Sequence, residues 1–148
     1  MNQFHLNKIR FVVLAGFALI SCNNIHTTNN MSNQKQTVEK YMDGFRSTDH
    51  AKILSCLNDD VIWEMPGFFS HKGKEAFDKE IENPNADGHP DISIIRLVEE
   101  GDIVVAEGTV KAKMKDGNKL DAVFCDVFHL TNDKISKLTT YLMFNKQS

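Results

Sequence analysis

Asp126 is the residue whose position first suggests chemistry. It lies in VFCDVFHL, residues 123–130. Alternation along a strand groups it with Phe124 and Phe128 and puts Cys125 and Val127 on the other side. An acid between two phenylalanines on a buried face loses its water, and desolvation raises a carboxyl pKa. Such an acid can donate a hydrogen bond near neutral pH or exchange a proton, and groups perturbed in this way often mark sites. The competing register puts Asp126 in water and turns Val123, Cys125 and Val127 inward. Tyr41 is the second candidate. It falls on an apolar helical stripe, so it is either a core tyrosine whose hydroxyl finds a partner or one half of a polar pair with Asp126. Trp63, in VIWEMPG, alternates in phase with Val61 and Met65 and serves as core, as a flat pocket wall, or as both. Its neighbour Glu64 points the other way, toward solvent. His71 precedes Gly73 in a loop. It is either an exposed histidine with no role or an acid/base at a cavity rim.

Other chemistries find no support in the sequence. His50, His89 and His129 show no ligand spacing with Cys, Asp or Glu, so no metal is expected. There is no glycine-rich phosphate loop and no nucleophile elbow, and no cofactor is expected. The formal charge is −3 and no basic patch carries interleaved aromatics, which argues against nucleic acid as a partner.

The elements that must position these residues belong to one domain. The chain has 148 residues, 41% hydrophobic and 25% charged, which is ordinary for a globular protein. Val38, Tyr41, Met42 and Phe45 are spaced as one helix face. Gly44 weakens that helix and a break follows near Ser47. A second helix, capped by Thr48 or Asp49, buries Ala51, Ile53, Leu54 and Leu57 and ends at Asn58-Asp59-Asp60. Val61 to Met65 reads as a short strand broken by Pro66-Gly67, then Phe68 to Lys72 as a loop. Lys74 to Glu82 reads as a third helix, burying Ala76, Phe77 and Ile81, and Asn83 to Pro90 as a surface loop. Four strand-like runs follow: Asp91 to Glu99, Ile103 to Met114, Lys119 to Leu130 and Ile135 to Phe144. Short turns join them as antiparallel neighbours. Three helices followed by a meander predict an α+β domain over residues 36–148. Val104, Ala106, Val110, Ala112 and Met114 share the face the helices must cover, interrupted by Gly108. A curved sheet closed by helices on one side encloses a cavity suited to a small ligand. On the other side Val123, Cys125 and Val127 form an apolar line. The apolar neighbours of Cys56 and Cys125 favour two buried free thiols over a disulfide.

The N-terminus lies outside that domain. Lys8 and Arg10 precede an uncharged apolar run from Phe11 to Ile20, long enough for a signal-peptide core and too short to span a bilayer. Leu19-Ile20-Ser21-Cys22 resembles the lipobox of bacterial lipoproteins. The resemblance implies cleavage of residues 1–21, lipid on Cys22, and residence in the bacterial cell envelope as a membrane-anchored lipoprotein. A plain secretory signal is the alternative. Residues 22–35, rich in Asn and Thr, read as a flexible tether. Loss of residues 1–21 takes the formal charge from −3 to −5.

The order of elements resembles the nuclear-transport-factor-2-like superfamily, which includes ketosteroid isomerases and SnoaL-like polyketide cyclases. VEKYMDGF, LNDDVIWEMPG, HKGKEAF, FCDVFHL and ISKLTTYLMF carry the likeness across about residues 36–145. It implies a cone-shaped sheet packed on three N-terminal helices. In the steroid isomerases a first-helix tyrosine and a protonated aspartate of the sheet donate to the substrate oxygen. Tyr41 and Asp126 occupy the matching places. That family's general base is an aspartate before a proline, where this chain has Met65 before Pro66, and a thioether takes no proton. In SnoaL-like cyclases an aspartate of the sheet acts as acid/base, a role open to Asp126. Relatives often dimerise through the outer sheet face, which implies a homodimer here.

Three readings follow. In the first, a lipid-anchored domain binds a small hydrophobic molecule in a pocket lined by Tyr41, Phe45, Trp63, Met65, Phe124, Asp126, Phe128 and Leu142. Tyr41 and Asp126 are its polar anchors. In the second, an isomerase- or cyclase-type enzyme uses Asp126, with His71, as acid/base. In the third, an envelope assembly module works as a dimer through its outer face. Met65 at the base position favours the first over the second.

Overall fold

A computed structural model describes residues 31–145; Cys22 and the segment read as a signal peptide lie outside them. The first helix, α1 (Asn33–Ser47), starts inside the segment read as a tether because Ser32 caps it, its hydroxyl accepting from Lys35 N at 3.2 Å. Thr48 ends it in the left-handed conformation, and Asp49 caps α2 (His50–Ser55) by accepting from Lys52 N. Gly44 does not break α1. A Cβ there would lie 2.5 Å from Cγ1 of the fully buried Ile53, so this glycine lets α2 fold back closely on α1.

Strand β1 (Leu57–Met65) begins four residues before the sequence reading placed it. Leu57 is buried, as expected, but by pairing with Ile135 in the sheet and not as the last turn of α2. Pro66 and Gly67 then form a tight turn. Phe68 N–H donates to Met65 O at 2.9 Å and Gly67 supplies the positive φ. The segment read as a loop returns as β2 (Phe69–Lys72), an edge strand antiparallel to β1. Helix α3 (Lys74–Asp78) is only five residues long.

Strands β3 (Ala86–Glu100), β4 (Ile103–Met114), β5 (Lys119–Thr131) and β6 (Lys134–Phe144) form the meander. Residues 86–90 read as loop because of their Pro and Gly. They instead begin β3, with a register shift between Asp87 and Asp91. An edge strand tolerates such residues because one side of its backbone is unpaired. The sheet order is β2-β1-β6-β5-β4-β3, antiparallel except where β1 runs parallel to β6. The result is α+β: a curved, unclosed sheet with the helices on one face. The core between them includes Val38, Ile53, Leu57, Phe77, Val104, Phe128 and Leu138, all essentially inaccessible to solvent.

Register sets the composition of each row of side chains against the helices. Val104, Phe128 and Leu138 lie side by side across three strands, then Ala106, Asp126 and Thr140, then Gly108, Phe124 and Leu142. The middle row places an acid and a hydroxyl inside an otherwise apolar face. In the third row Gly108 is required first by the Ser93 carbonyl oxygen of β3, which a Cβ at that position would overlap, and then by the Phe124 ring, which would lie 2.5 Å from it.

The packing at α1 and α2 yields a prediction. Alanine normally stabilises an exposed helix relative to glycine by about 1 kcal/mol. Gly44→Ala should instead destabilise the domain by about 1–3 kcal/mol, because Ile53 cannot yield without disturbing the core. Urea denaturation of the two proteins checks the sign.

Candidate functional site

The site is a cavity of about 170 Å³ between α1 and the sheet, lined by Tyr41, Met42, Phe45, Trp63, Ile92, Val110, Phe124, Asp126, Thr140 and Leu142. Helical spacing brings Tyr41 and Phe45 together one turn apart, ring centroids 5.0 Å. Strand β1 delivers Trp63, which stacks on Phe77 at 4.5 Å and meets Phe45 edge-on at 6.2 Å. Strands β5 and β6 deliver Phe124, Asp126, Thr140 and Leu142.

Polar groups enter this apolar space in a directed chain. Trp63 Nε1–H donates to Thr140 Oγ1 at 3.0 Å. An indole nitrogen only donates, so the threonine hydrogen is free to serve the Asp126 carboxyl, its cross-strand neighbour. Asp126 is 8% exposed, and its Oδ1 is buried with no hydrogen-bond partner among the described residues. No Lys or Arg is among the lining residues. Burial pushes the Asp126 carboxyl up to about 7, and the Thr140 hydroxyl beside it offsets part of the rise. Tyr41, 2% exposed, is raised well above the usual phenol value, first by burial and then by the negative charge of Asp126 and by Cys56. Both groups are therefore biased toward their protonated forms, on two residues that line one small apolar space.

The structure brings together Tyr41, Phe45, Trp63, Phe124, Asp126 and Leu142 from the sequence reading. It does not bring in the other three. Phe128 is fully buried beneath Tyr41, ring centroids 5.3 Å, and has no surface left to line a cavity. Met65 sits at the end of β1 opposite Phe69, where the hairpin carries it away from the cavity. His71 is in β2, not a loop. Its ring stacks on Phe69 at 4.6 Å and its Nε2 lies 3.2 Å from Glu80, which ties it to the segment after α3 and off the cavity wall. Sequence reasoning missed Met42, Ile92, Val110 and Thr140. Alternation back from Leu142 would have found Thr140, a hydroxyl in the same row as Asp126.

Both described cysteines are free thiols. Cys56 is buried near the helices, and Cys125 is only half-buried, on the opposite face of the sheet. The expectation that Cys125 is buried does not hold, because the side of the sheet it occupies has no cover. Among the described residues no group of His, Cys, Asp and Glu is arranged to hold a metal ion.

The profile of the SnoaL-like domain family matches residues 38–138, most of the chain. The chain belongs to the SnoaL-like family. Solved structures agree on the fold. A nuclear-transport-factor-2-like protein of unknown function from Burkholderia pseudomallei superposes with a TM-score of 0.70 at 20% identity, over 76% of this chain and 92% of its own. An epoxide hydrolase of Mycobacterium tuberculosis gives 0.67 at 18% identity, over 75% and 83%. A ketosteroid-isomerase-like protein from Catenulispora acidiphila, solved with trimethylamine, gives 0.66 at 12% identity, over 72% and 84%. None of the curated proteins matches the chain. At these identities the SnoaL-like likeness carries the fold and leaves the chemistry to this chain's own residues.

The raised Asp126 pKa fixes a pH dependence of stability. The folded carboxyl holds its proton up to about 7, whereas the unfolded one releases it near 3.8. The folded state therefore binds more protons between those values, and stability is lost as pH rises from about 4 to 7. Asp126→Asn removes this slope. At pH 8 the variant should be more stable than the native protein by at most about 4 kcal/mol, and at pH 4 the two should be nearly equal. Denaturation curves at both pH values check it.

Proposed function

We propose that this SnoaL-like domain binds a small, largely hydrophobic molecule in the α1–sheet cavity, with Tyr41 and Asp126 as its polar anchors. One observation carries the reading: a buried Oδ1 on Asp126 has no partner among the described residues and belongs to a residue that lines an apolar cavity. Buried polar atoms are nearly always satisfied, so an orphan one calls for a bound group. A carboxyl protonated below about pH 7 supplies an O–H donor to a carbonyl or hydroxyl of the ligand, and Tyr41 supplies another. The aromatic and aliphatic walls supply affinity through buried area. The trimethylamine bound to the Catenulispora relative fits the same picture of a compact ligand.

Acid/base catalysis by Asp126 is the second reading, and the observation that favours it is a carboxyl titrating near neutral pH. The epoxide hydrolase among the structural relatives is consistent with it. With Met65 at the end of β1 and His71 off the wall, the other titratable group among the lining residues is Tyr41, whose phenol is raised well above its usual value by burial and so holds its proton rather than acting as a base. Binding is therefore the better supported of the two.

Two further parts of the proposal concern setting. The lipobox-like Leu19-Ile20-Ser21-Cys22 supports a lipid on Cys22 and a place in the bacterial cell envelope. The outer sheet face is apolar and open. Met143 is 70% exposed and Tyr141 53%, opposite Val123 and Cys125. A hollow of about 540 Å³ lies over them. This supports a homodimer closed through that face.

Native mass spectrometry of the full chain, extracted from membranes in mild detergent, reads all three parts. The expected result is a dimer carrying lipid on Cys22 and a co-purifying small molecule. Bare, unlipidated monomer would contradict each part. Once a ligand is captured, Asp126→Leu and Tyr41→Phe should each weaken it about tenfold, consistent with loss of one hydrogen bond, whereas Asp126→Asn, whose amide N–H still donates, should bind with little dependence on pH. Affinity for a neutral acceptor should fall as pH rises through about 7, because ionised Asp126 no longer donates. Turnover of the captured molecule, abolished in Asp126→Asn, would replace the binding reading with the catalytic one.

A further inference from the structure

The binding cavity is small for its proposed task. Its 170 Å³ holds a single ring, whereas ligand pockets usually run from about 300 to 1,000 Å³. A second hollow of about 460 Å³ lies beside it, and Val110 lines both. Alternation along β4 puts Met114 on the same helix-covered side as Val110, and Leu120 of β5 joins them through its partner Ala112. These apolar side chains are only half-buried, and Ile81 faces them from the segment after α3. At the rim the Thr48 hydroxyl meets His89 Nδ1 at 2.7 Å. The two hollows together offer about 630 Å³.

We infer that they form one continuous site for an elongated ligand. Its compact head, apolar except for the one carbonyl or hydroxyl that meets Asp126 and Tyr41, sits in the inner cavity. Its alkyl chain crosses Val110 and lies on Met114 and Leu120. Its far end carries an uncharged polar group, such as a hydroxyl or amide, at Thr48 and His89. Glu82 and Lys115 also line the outer hollow. Charges of both signs there favour a neutral terminus over an anion or a cation. Leu120 and Met114 are then specificity-determining residues, because their bulk sets how long a chain the site accepts. The inference rests on the binding reading above and goes beyond it by defining the ligand's shape.

Phenol, 4-propylphenol and 4-hexylphenol are suitable probes, with affinities read by titration calorimetry on the full chain. Burial of each methylene tightens binding by about three- to fourfold. In the native protein 4-hexylphenol should therefore bind roughly thirtyfold more tightly than 4-propylphenol. Leu120→Trp fills the outer hollow. It should leave phenol affinity unchanged and remove the gain from the longer chain. Equal affinities for the propyl and hexyl compounds in the native protein, with phenol bound, would overturn the inference and leave the inner pocket standing. So would a Leu120→Trp variant that keeps the full gain. The native series decides the matter by itself if the variant does not fold. Failure of phenol and both derivatives to bind would remove the pocket reading and this inference together.

Discussion

A carboxyl group buried against a sheet, with no cation among the cavity residues, must stay protonated or bear the cost of an unpaired charge. Asp126 is such a group, and much of the site follows from accommodating it. Its cross-strand neighbours are Ala106, which leaves it room, and Thr140, which presents a hydroxyl. Thr140 is oriented by Trp63 Nε1. Trp63 is fixed in turn by stacking on Phe77 and by edge contacts with Phe45 and Phe69. The aromatic cluster thus does two things. It excludes water, which raises the acid's pKa, and it holds the one hydroxyl that partly stabilises the ionised form.

The backbone keeps this arrangement in place through two close approaches. Gly44 lets α2 pack on α1, so that Tyr41 and Phe45 are held over the sheet. Gly108 leaves space for the Ser93 carbonyl of the neighbouring strand and for the Phe124 ring beside Asp126. Neither glycine serves a turn. Each is small because a neighbour occupies the volume its side chain would take. A partly destabilised acid surrounded by well-packed neighbours is a common trade at binding sites, where stability is given up for a prepared polar contact.

Much of this was legible in the sequence. Alternation in VFCDVFHL placed Asp126 inward between Phe124 and Phe128, and helical spacing placed Tyr41 and Phe45 on one stripe. The α+β class followed from helices first and a meander after. Less legible were features that depend on pairing partners. The parallel contact of β1 with β6 draws Leu57 into the sheet, although its spacing from Ile53 and Leu54 reads as helix. Residues 86–90 look like a loop because Gly88 and Pro90 interrupt them, and 69–72 because they follow the Pro66-Gly67 break, and only edge pairing makes them strands. The exclusion of Met65 and His71 from the cavity likewise comes from the tight hairpin between β1 and β2. Thr140 went unnoticed because a threonine in a strand is unremarkable until its cross-strand neighbour is known to be a buried acid.

The central claim is that Asp126 is a buried acid in an apolar pocket, with an orphaned Oδ1 and a proton held up to about pH 7. A carbon-13 NMR titration of the aspartate side-chain carboxyls, with the Asp126 resonance assigned by its absence from Asp126→Asn, tests this most directly. The account predicts a midpoint at about 7. A midpoint near 4, the value of a solvated aspartate, would mean that the carboxyl is hydrated or paired and would contradict it.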